Sequence, residues 1–346
     1  MELEREGKYA EAATAWRSVA DADPHNALAW ASLGLALAKS QDYQNAILAY
    51  KSAAAINPML PGLQLNLGLA EFKRSDLAGA IAPLRAALAA DPKNLQARTL
   101  LGLCYYGTGH FEEAVRNLGM ASKADPSNAE LHKVLAQSCL SAKKYSCALD
   151  EFRWLLEKDP NSAAAHMLTG EALDGLGRTP EALAEFEAAA KADPKAANVQ
   201  FGLGYLYWKS HQFAEAKAAF EAELAVDPSH PQALEYLGDV ELKSGNSEKA
   251  IELLEKAVRL DSQLRLAYVD MGVIWTEQKK YPQALEALAH AQSLDPLQPD
   301  VHYRLGRLYQ TMGRTADAEK EMARVKELHE KEEENLARRM AGEKTP

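Results

Sequence analysis

Several things are scarce in this 346-residue chain, and each scarcity narrows its function. Cysteine occurs three times, at Cys104, Cys139 and Cys147, which makes neither a disulfide framework nor a zinc-ligand pattern. No run approaches the ~20 apolar residues that span a bilayer. The longest candidate, Ala27 to Ala38, is short and contains Ser32. The opening Met-Glu-Leu-Glu-Arg-Glu lacks the apolar stretch of a signal peptide. A cytoplasmic location is therefore the default expectation, and an exported one requires a signal segment upstream of these residues. Positive charge is also in deficit, with 39 Lys and Arg against 49 Asp and Glu and a formal net charge of −10. Such a surface repels phosphate, which argues against nucleic acid and favours a basic or neutral partner.

Recognisable chemistry is equally thin. Gly202-Leu203-Gly204 lacks a third glycine, and Gly175-Leu176-Gly177 runs into Arg178-Thr179-Pro180, so neither cradles a phosphate. No Gly-x-Ser-x-Gly nucleophile elbow occurs. His329-Glu330 begins a zinc-protease pattern, but Glu333 stands where the second histidine belongs. The expectation is a protein that is not an enzyme and carries no cofactor and no metal.

What the chain has in abundance is repetition. Proline recurs every 34 residues at Pro24, Pro58, Pro92, Pro126, Pro160, Pro194 and Pro228, then at Pro296 after one omission. With proline at position 32, nine full units begin at Ala27, Pro61, Leu95, Ala129, Ala163, Ala197, Pro231, Arg265 and Pro299. Position 20 is alanine in every unit, from Ala46 to Ala318, and position 8 is glycine in all but one, from Gly34 to Gly306, with Ala136 the exception. Glycine inside a helix costs ~1 kcal/mol against alanine, so its recurrence needs a cause. The expected cause is a close crossing of two antiparallel helices where neither bears a bulky side chain. Position 7 is mostly leucine, and position 24 runs Tyr50, Leu84, Leu118, Phe152, Phe186, Phe220, Leu254, Leu288, Met322, an amphipathic stripe.

The helix ends are punctuated as well. Asp-Pro stops the second helix in most units, because proline disfavours helical geometry in the residue before it. Asn26, Asn94, Asn128 and Ser162 follow two residues later, where an N-cap belongs. Pro61, Pro231 and Pro299 fall at the expected first helical position.

This pattern resembles the tetratricopeptide repeat, a 34-residue helix-turn-helix unit. The resemblance covers about residues 7 to 332. It implies an all-α fold, an α-solenoid in which antiparallel helix pairs stack into a right-handed superhelix with the first helices lining a concave groove. The expected division is a partial first unit at 1–26 with only its second helix, nine units over 27–332, and a polar helix end and tail at 333–346. The unpaired helix from Lys8 to Ala22 leaves an apolar face partly uncovered. Either the sequence is a piece of a longer chain, or another surface docks there, self-association included. Asp261-Ser262, where the proline is missing, is expected to be a softer seam, and the last helix is expected to run on to about Met340 as a solvating cap.

By that resemblance the groove is lined near positions 2, 5, 9, 12 and 13 of each first helix. These positions give Leu65, Leu69 and Phe72, then Tyr106, then Glu171 and Asp174, then Phe201, Tyr205 and Trp208, then Asp239, and finally Tyr303 and Arg307. Phe201, Tyr205 and Trp208 share one helical face, distinct from the face of Leu203 and Leu206. They suit a peptide with apolar anchors and a basic residue, or else they pack on neighbouring first helices. A C-terminal-carboxylate clamp is not expected, since Lys133 is followed by Gln137 rather than Asn, and Leu168 stands where the next unit's amide belongs. His132 and His166 occupy one repeat position, as a metal pair lacking a third ligand or as packing residues. Cys139 and Cys147 flank one inter-helix turn, either bridged or as two small buried hydrophobes. The expected function is a non-enzymatic scaffold that binds a protein or peptide in its groove. The alternatives are the substrate-reading array of an enzyme whose catalytic domain lies elsewhere, and a self-assembling structural element.

Overall fold

The computed structural model describes residues 2–340, among which there are twenty helices and no strand. The chain divides into two compact units, Met1–Arg178 and Thr179–Pro346. Unit 1 opens with a stub, α1 (Glu2–Arg5), and α2 (Tyr9–Ala22). The pairs α3 (Ala27–Lys39) and α4 (Tyr43–Ile56), α5 (Leu63–Lys73) and α6 (Leu77–Ala90), α7 (Leu95–Gly107) and α8 (Phe111–Ala124), and α9 (Ala129–Ser141) and α10 (Tyr145–Lys158) follow, then α11 (Ala163–Gly175). Unit 2 comprises α12 (Thr179–Ala192), α13 (Val199–Lys209) and α14 (Phe213–Val226), α15 (Pro231–Lys243) and α16 (Ser247–Leu260), α17 (Arg265–Glu277) and α18 (Tyr281–Leu294), and α19 (Pro299–Thr311) and α20 (Thr315–Met340). Each unit is a run of stacked helix pairs.

Local chemistry explains where these helices begin and end. Asn26, Asn94, Asn128 and Ser162 each accept a hydrogen bond from the backbone N–H three residues on, as N-caps do. At the end of most second helices an aspartate carboxylate accepts the N–H two residues ahead, as Asp91 does from Lys93 and Asp227 from Ser229, and after α4 Asn57 does the same from Met59. Asp261 does the same from Gln263 at 2.8 Å, so the seam expected to be soft keeps its turn without the proline. The aspartate holds this turn, and proline only reinforces it.

Two first helices start later than the spacing implies. Pro61 does not open its helix: α5 begins at Leu63, behind Gly62 at φ +75°, a left-handed conformation that glycine takes without strain. α13 likewise begins at Val199 behind Asn198 at φ 65°, a residue type that tolerates this region. The missing cap of α13 is supplied from another helix, because the Glu223 carboxylate on α14 accepts the N–H groups of Asn198 and Phe201. Pro231 and Pro299 do stand first in their helices.

The small-residue pattern has a different cause from the one its spacing suggests. Ala46, Ala80, Ala114, Ala148, Ala182, Ala216, Ala250 and Ala284 are fully buried. The position-8 glycines, however, face the position-24 side chain of their own unit. A Cβ on Gly34 would lie 2.6 Å from the Tyr50 ring, on Gly102 2.6 Å from Leu118, and on Gly204 2.6 Å from Phe220. Glycine makes room for the position-24 anchor, so a small residue meets a large one at the crossing.

A further device recurs at position 4 of the first helix, whose side chain reaches back to the carbonyl of the position-32 residue. Trp30, Gln64, Arg98, His132, His166 and His302 bond the oxygens of Pro24, Pro58, Pro92, Pro126, Pro160 and Pro296. Where Leu234 and Tyr268 take that position, Lys256 and His290 of the second helix reach the Pro228 and Ser262 oxygens instead. At the start of the chain, Leu3 packs on the core of α2 to α5, and the Trp16 indole donates to Glu4.

Candidate binding faces on the first helices

The residues expected to line one groove fall into the two units, and each set is a separate face. In unit 1, Leu65, Leu69 and Phe72 lie half-buried on α5, with Leu65 and Phe72 packed against the core of α6 and α7. Tyr106 of α7 is half-buried, and its hydroxyl donates to Gln137 of α9 at 3.3 Å. Glu171 is exposed and Asp174 half-buried on α11. This face is mostly apolar, and the Tyr106 hydroxyl on it is tied to the next first helix.

The histidine pair and the cysteines also belong to unit 1. Both ring nitrogens of His132 face oxygens, Nε2 the Pro126 carbonyl and Nδ1 the Glu151 carboxylate, and the ring stacks on Trp154 at 4.0 Å. His166 spends Nε2 on Pro160. These histidines hold turns, and no group of three metal-binding side chains occurs among the described residues. Cys139 and Cys147 form a disulfide joining α9 to α10, with Cα atoms 5.8 Å apart, while Cys104 is buried as a free thiol. A cavity of about 740 Å³ opens between α8 and α10, with Gly119, Met120 and Trp154 on its walls.

Unit 2 is built differently. Phe201, Tyr205 and Trp208 of α13 are all half-buried, and each meets α15 or the turn leading into it. Phe201 stacks on His230 at 4.8 Å, Tyr205 meets Tyr236 edge-on at 5.5 Å, and Trp208 meets it at 4.8 Å. The Trp208 indole N–H donates to Asp239, whose other oxygen is held by Lys243. The Lys243 ammonium also lies 5.8 Å from the Trp208 ring centroid, within cation–π range. Phe201 and Trp208 pack on the core of α14 and α15, and Tyr205 lies outside that contact set.

Beneath these rings lie carboxyl groups that the groove positions only partly pick out. Asp239 is 1% exposed, Glu235 5% and Asp270 6%. Glu235 accepts the Ala267 N–H at 2.9 Å, yet burial pushes its carboxyl up to about 7. Burial, and then the neighbouring Asp239, raises the Asp270 carboxyl well above the ordinary range, against the pull of Lys243 and Arg304. Its Oδ2 has no hydrogen-bond partner. Neither Tyr236 nor Asp270 fell among the expected groove residues. A signal existed in each case, an aromatic and a carboxylate at position 6 of their units, the second set between Val269 and Met271. Tyr303 and Arg307 of α19 are exposed, and with Arg304, Thr276 and Glu277 they line a cavity of about 220 Å³.

Two family models described as tetratricopeptide repeat match the sequence, one over residues 1–61, 144–197 and 201–264, the other over 71–138 and 276–339. No curated protein matches it. Among solved structures, the Cut9–Hcn1 hetero-tetramer of the APC/C aligns with a TM-score of 0.57 at 18% identity, over 87% of this chain and 60% of that one. A tetratricopeptide repeat protein from Parabacteroides merdae gives 0.56 at 20% identity, over 71% and 97% of the two chains. PilF of Pseudomonas aeruginosa gives 0.53 at 20%, over 58% and 91%. At these identities the likeness establishes the fold.

Proposed function

For a chain that belongs to the tetratricopeptide repeat family, a fold of interaction scaffolds, we propose a non-enzymatic role: holding a protein segment against the first-helix face of unit 2. The observation that carries this reading is the set Tyr205, Trp208 and Tyr236, three rings packed on one another, Tyr205 and Trp208 stacked and both edge-on to Tyr236, and left half-exposed beside Lys243. Rings fixed by their neighbours lose little entropy when a ligand covers them, so the ordering cost falls mainly on the partner. Asp239 adds charge beside Trp208, and Tyr303 and Arg307 on α19 add a further anchor and a cation. In unit 1 the Leu65, Leu69, Phe72 and Tyr106 face, with Glu171 and Asp174 on α11, is the corresponding apolar-anchor surface of the same proposal.

The test is affinity capture from source-cell lysate, read by quantitative mass spectrometry, with the wild-type chain and a Tyr205→Ala/Tyr303→Ala variant as baits. Tyr205 is a cleaner probe than Trp208, whose indole is tied into the fold through Asp239. Proteins captured by the wild type and lost with the variant are ligands of this face. Identical captured sets would mean that the rings serve only packing.

A further inference from the structure

On α15 and α17, unit 2 buries three carboxyl groups close together, Glu235, Asp239 and Asp270. Glu241, by contrast, is fully buried but held by Lys217 and Lys249. Asp239 is satisfied by Lys243 and Trp208, and Glu235 by the Ala267 N–H. Arg265, the cation beside Glu235, is engaged with both oxygens of Asp300 at 2.9 Å. That leaves Asp270, which is 6% exposed and faces Glu235, Asp239 and Lys243 from α15 and Arg304 from α19, with Oδ2 unpartnered. Three carboxyls are thus met by two cations, and both cations are exposed, flexible side chains at the edge of the recess. Aromatic rings stand beside it, because the Trp208 indole donates to Asp239 and meets the Tyr236 ring edge-on.

We propose that the recess formed by Glu235, Asp239 and Asp270 receives the ammonium or guanidinium group of a Lys or Arg side chain carried by the segment bound to unit 2. The inference rests on the scaffold reading above and names the chemistry that the segment must present. A third cation balances the three carboxyls and supplies the donor that Asp270 Oδ2 lacks, while its aliphatic stem lies along the Tyr205 and Trp208 rings. Lys243 swings aside to admit it, which its exposure permits. Burial raises the carboxyls of Glu235 and Asp270, and an arriving cation opposes that shift by favouring their charged forms.

The experiment selects randomised peptides against the full-length wild-type chain and against Asp270→Asn, which keeps the shape and removes the charge. In the wild-type pool a Lys or Arg should be fixed beside an aromatic or apolar residue. Replacing it by norleucine in one enriched peptide should weaken binding to the wild type about tenfold, and to Asp270→Asn less than about twofold. A wild-type pool with no fixed basic residue, or an equal need for it in Asp270→Asn, overturns the inference and leaves the scaffold reading standing. Pools that never rise above bare resin overturn both. Should Asp270→Asn fail to fold, the wild type alone decides. Between about pH 6 and about pH 8 the basic peptide should tighten several-fold more than its norleucine version, and equal pH responses refute the proposal.

Discussion

The first-helix faces of the two units share a 34-residue frame but bury different numbers of acids, Glu71 in unit 1 against Glu235, Asp239, Glu241 and Asp270 in unit 2. On the unit 1 face, Leu65, Leu69 and Phe72 are half-buried aliphatic and aromatic surface, and Tyr106 is tied to Gln137. The one buried acid of α5, Glu71, has Lys51 at 2.9 Å on Oε1 and leaves Oε2 without a partner. Unit 2 buries Glu235, Asp239 and Asp270 together on α15 and α17, and one oxygen of Asp270 likewise lacks a donor. Repeat-defining positions such as Ala46 and Ala250 are equally buried in both units, so they account for the fold and not for the contrast. The difference arises at positions the repeat leaves free. A buried charge that the fold does not fully satisfy is a cost the frame does not require, and such groups concentrate at binding sites.

Acidity should break the symmetry most strongly. Burial raises the Glu235 carboxyl from an ordinary value of 4.5 to about 7, against the opposing pull of the Ala267 N–H and Arg265 and with the help of Asp261. The folded chain therefore holds this proton more tightly than the unfolded chain does. The stabilisation is fully present below about pH 4.5, falls as pH rises, and is lost above about 7, a span of about 3 kcal/mol. Asp270, raised in the same direction, adds to it. Hydrogen exchange, corrected for its intrinsic pH dependence, should accelerate across α15 and α17 between about pH 5 and about pH 7.5 while α5 and α7 change little. Glu235→Gln should flatten that response, and an equal acceleration in unit 1 would refute the contrast.

Reduction should act on the other unit. The Cys139–Cys147 bridge closes a short loop, with a sequence separation of 8, and opening it removes about 2 to 3 kcal/mol in the chain-entropy account. With reductant, exchange should quicken in α9 and α10 and stay unchanged in α15 to α18. The shared frame can be probed in both units at once. Gly34→Ala places a methyl 2.6 Å from the Tyr50 ring, which is 1% exposed and rigid. Overpacking there exceeds the gain in helix propensity and leaves a net loss of about 1 to 2 kcal/mol in thermal unfolding. Gly238→Ala meets the more adaptable Leu254 and should cost less. The smallest effect is expected from Ser262→Pro, which restores the missing proline where Asp261 already holds the turn, and it should shift stability by less than about 1 kcal/mol.

Much of the architecture could be read from residue spacing alone. Ala46, Ala182 and Ala284 marked the buried crossings, and Asn26, Asn94, Asn128 and Ser162 marked helix starts because a cap acts within three residues of its own position. The register failed at Pro61 and Asn198, where a left-handed residue delays the helix, and spacing cannot distinguish a proline inside a first turn from one just before it. The glycine at position 8 was correctly read as a contact but matched to the wrong partner, since alanine and the position-24 anchor both lie on the facing helix.

The sequence by itself determined that this is a stack of paired helices, because helix periodicity, caps and turn aspartates act over a few neighbouring residues and recur at a fixed interval. Tertiary structure decided which carboxyls are buried and what reaches them. Trp208 meets Asp239 from 31 residues away, Glu235 holds the N–H of Ala267 from 32 away, and Asp270 is left with an oxygen unpartnered. Desolvation and pairing depend on which side chains of successive units come together in space, and a period of 34 does not encode that.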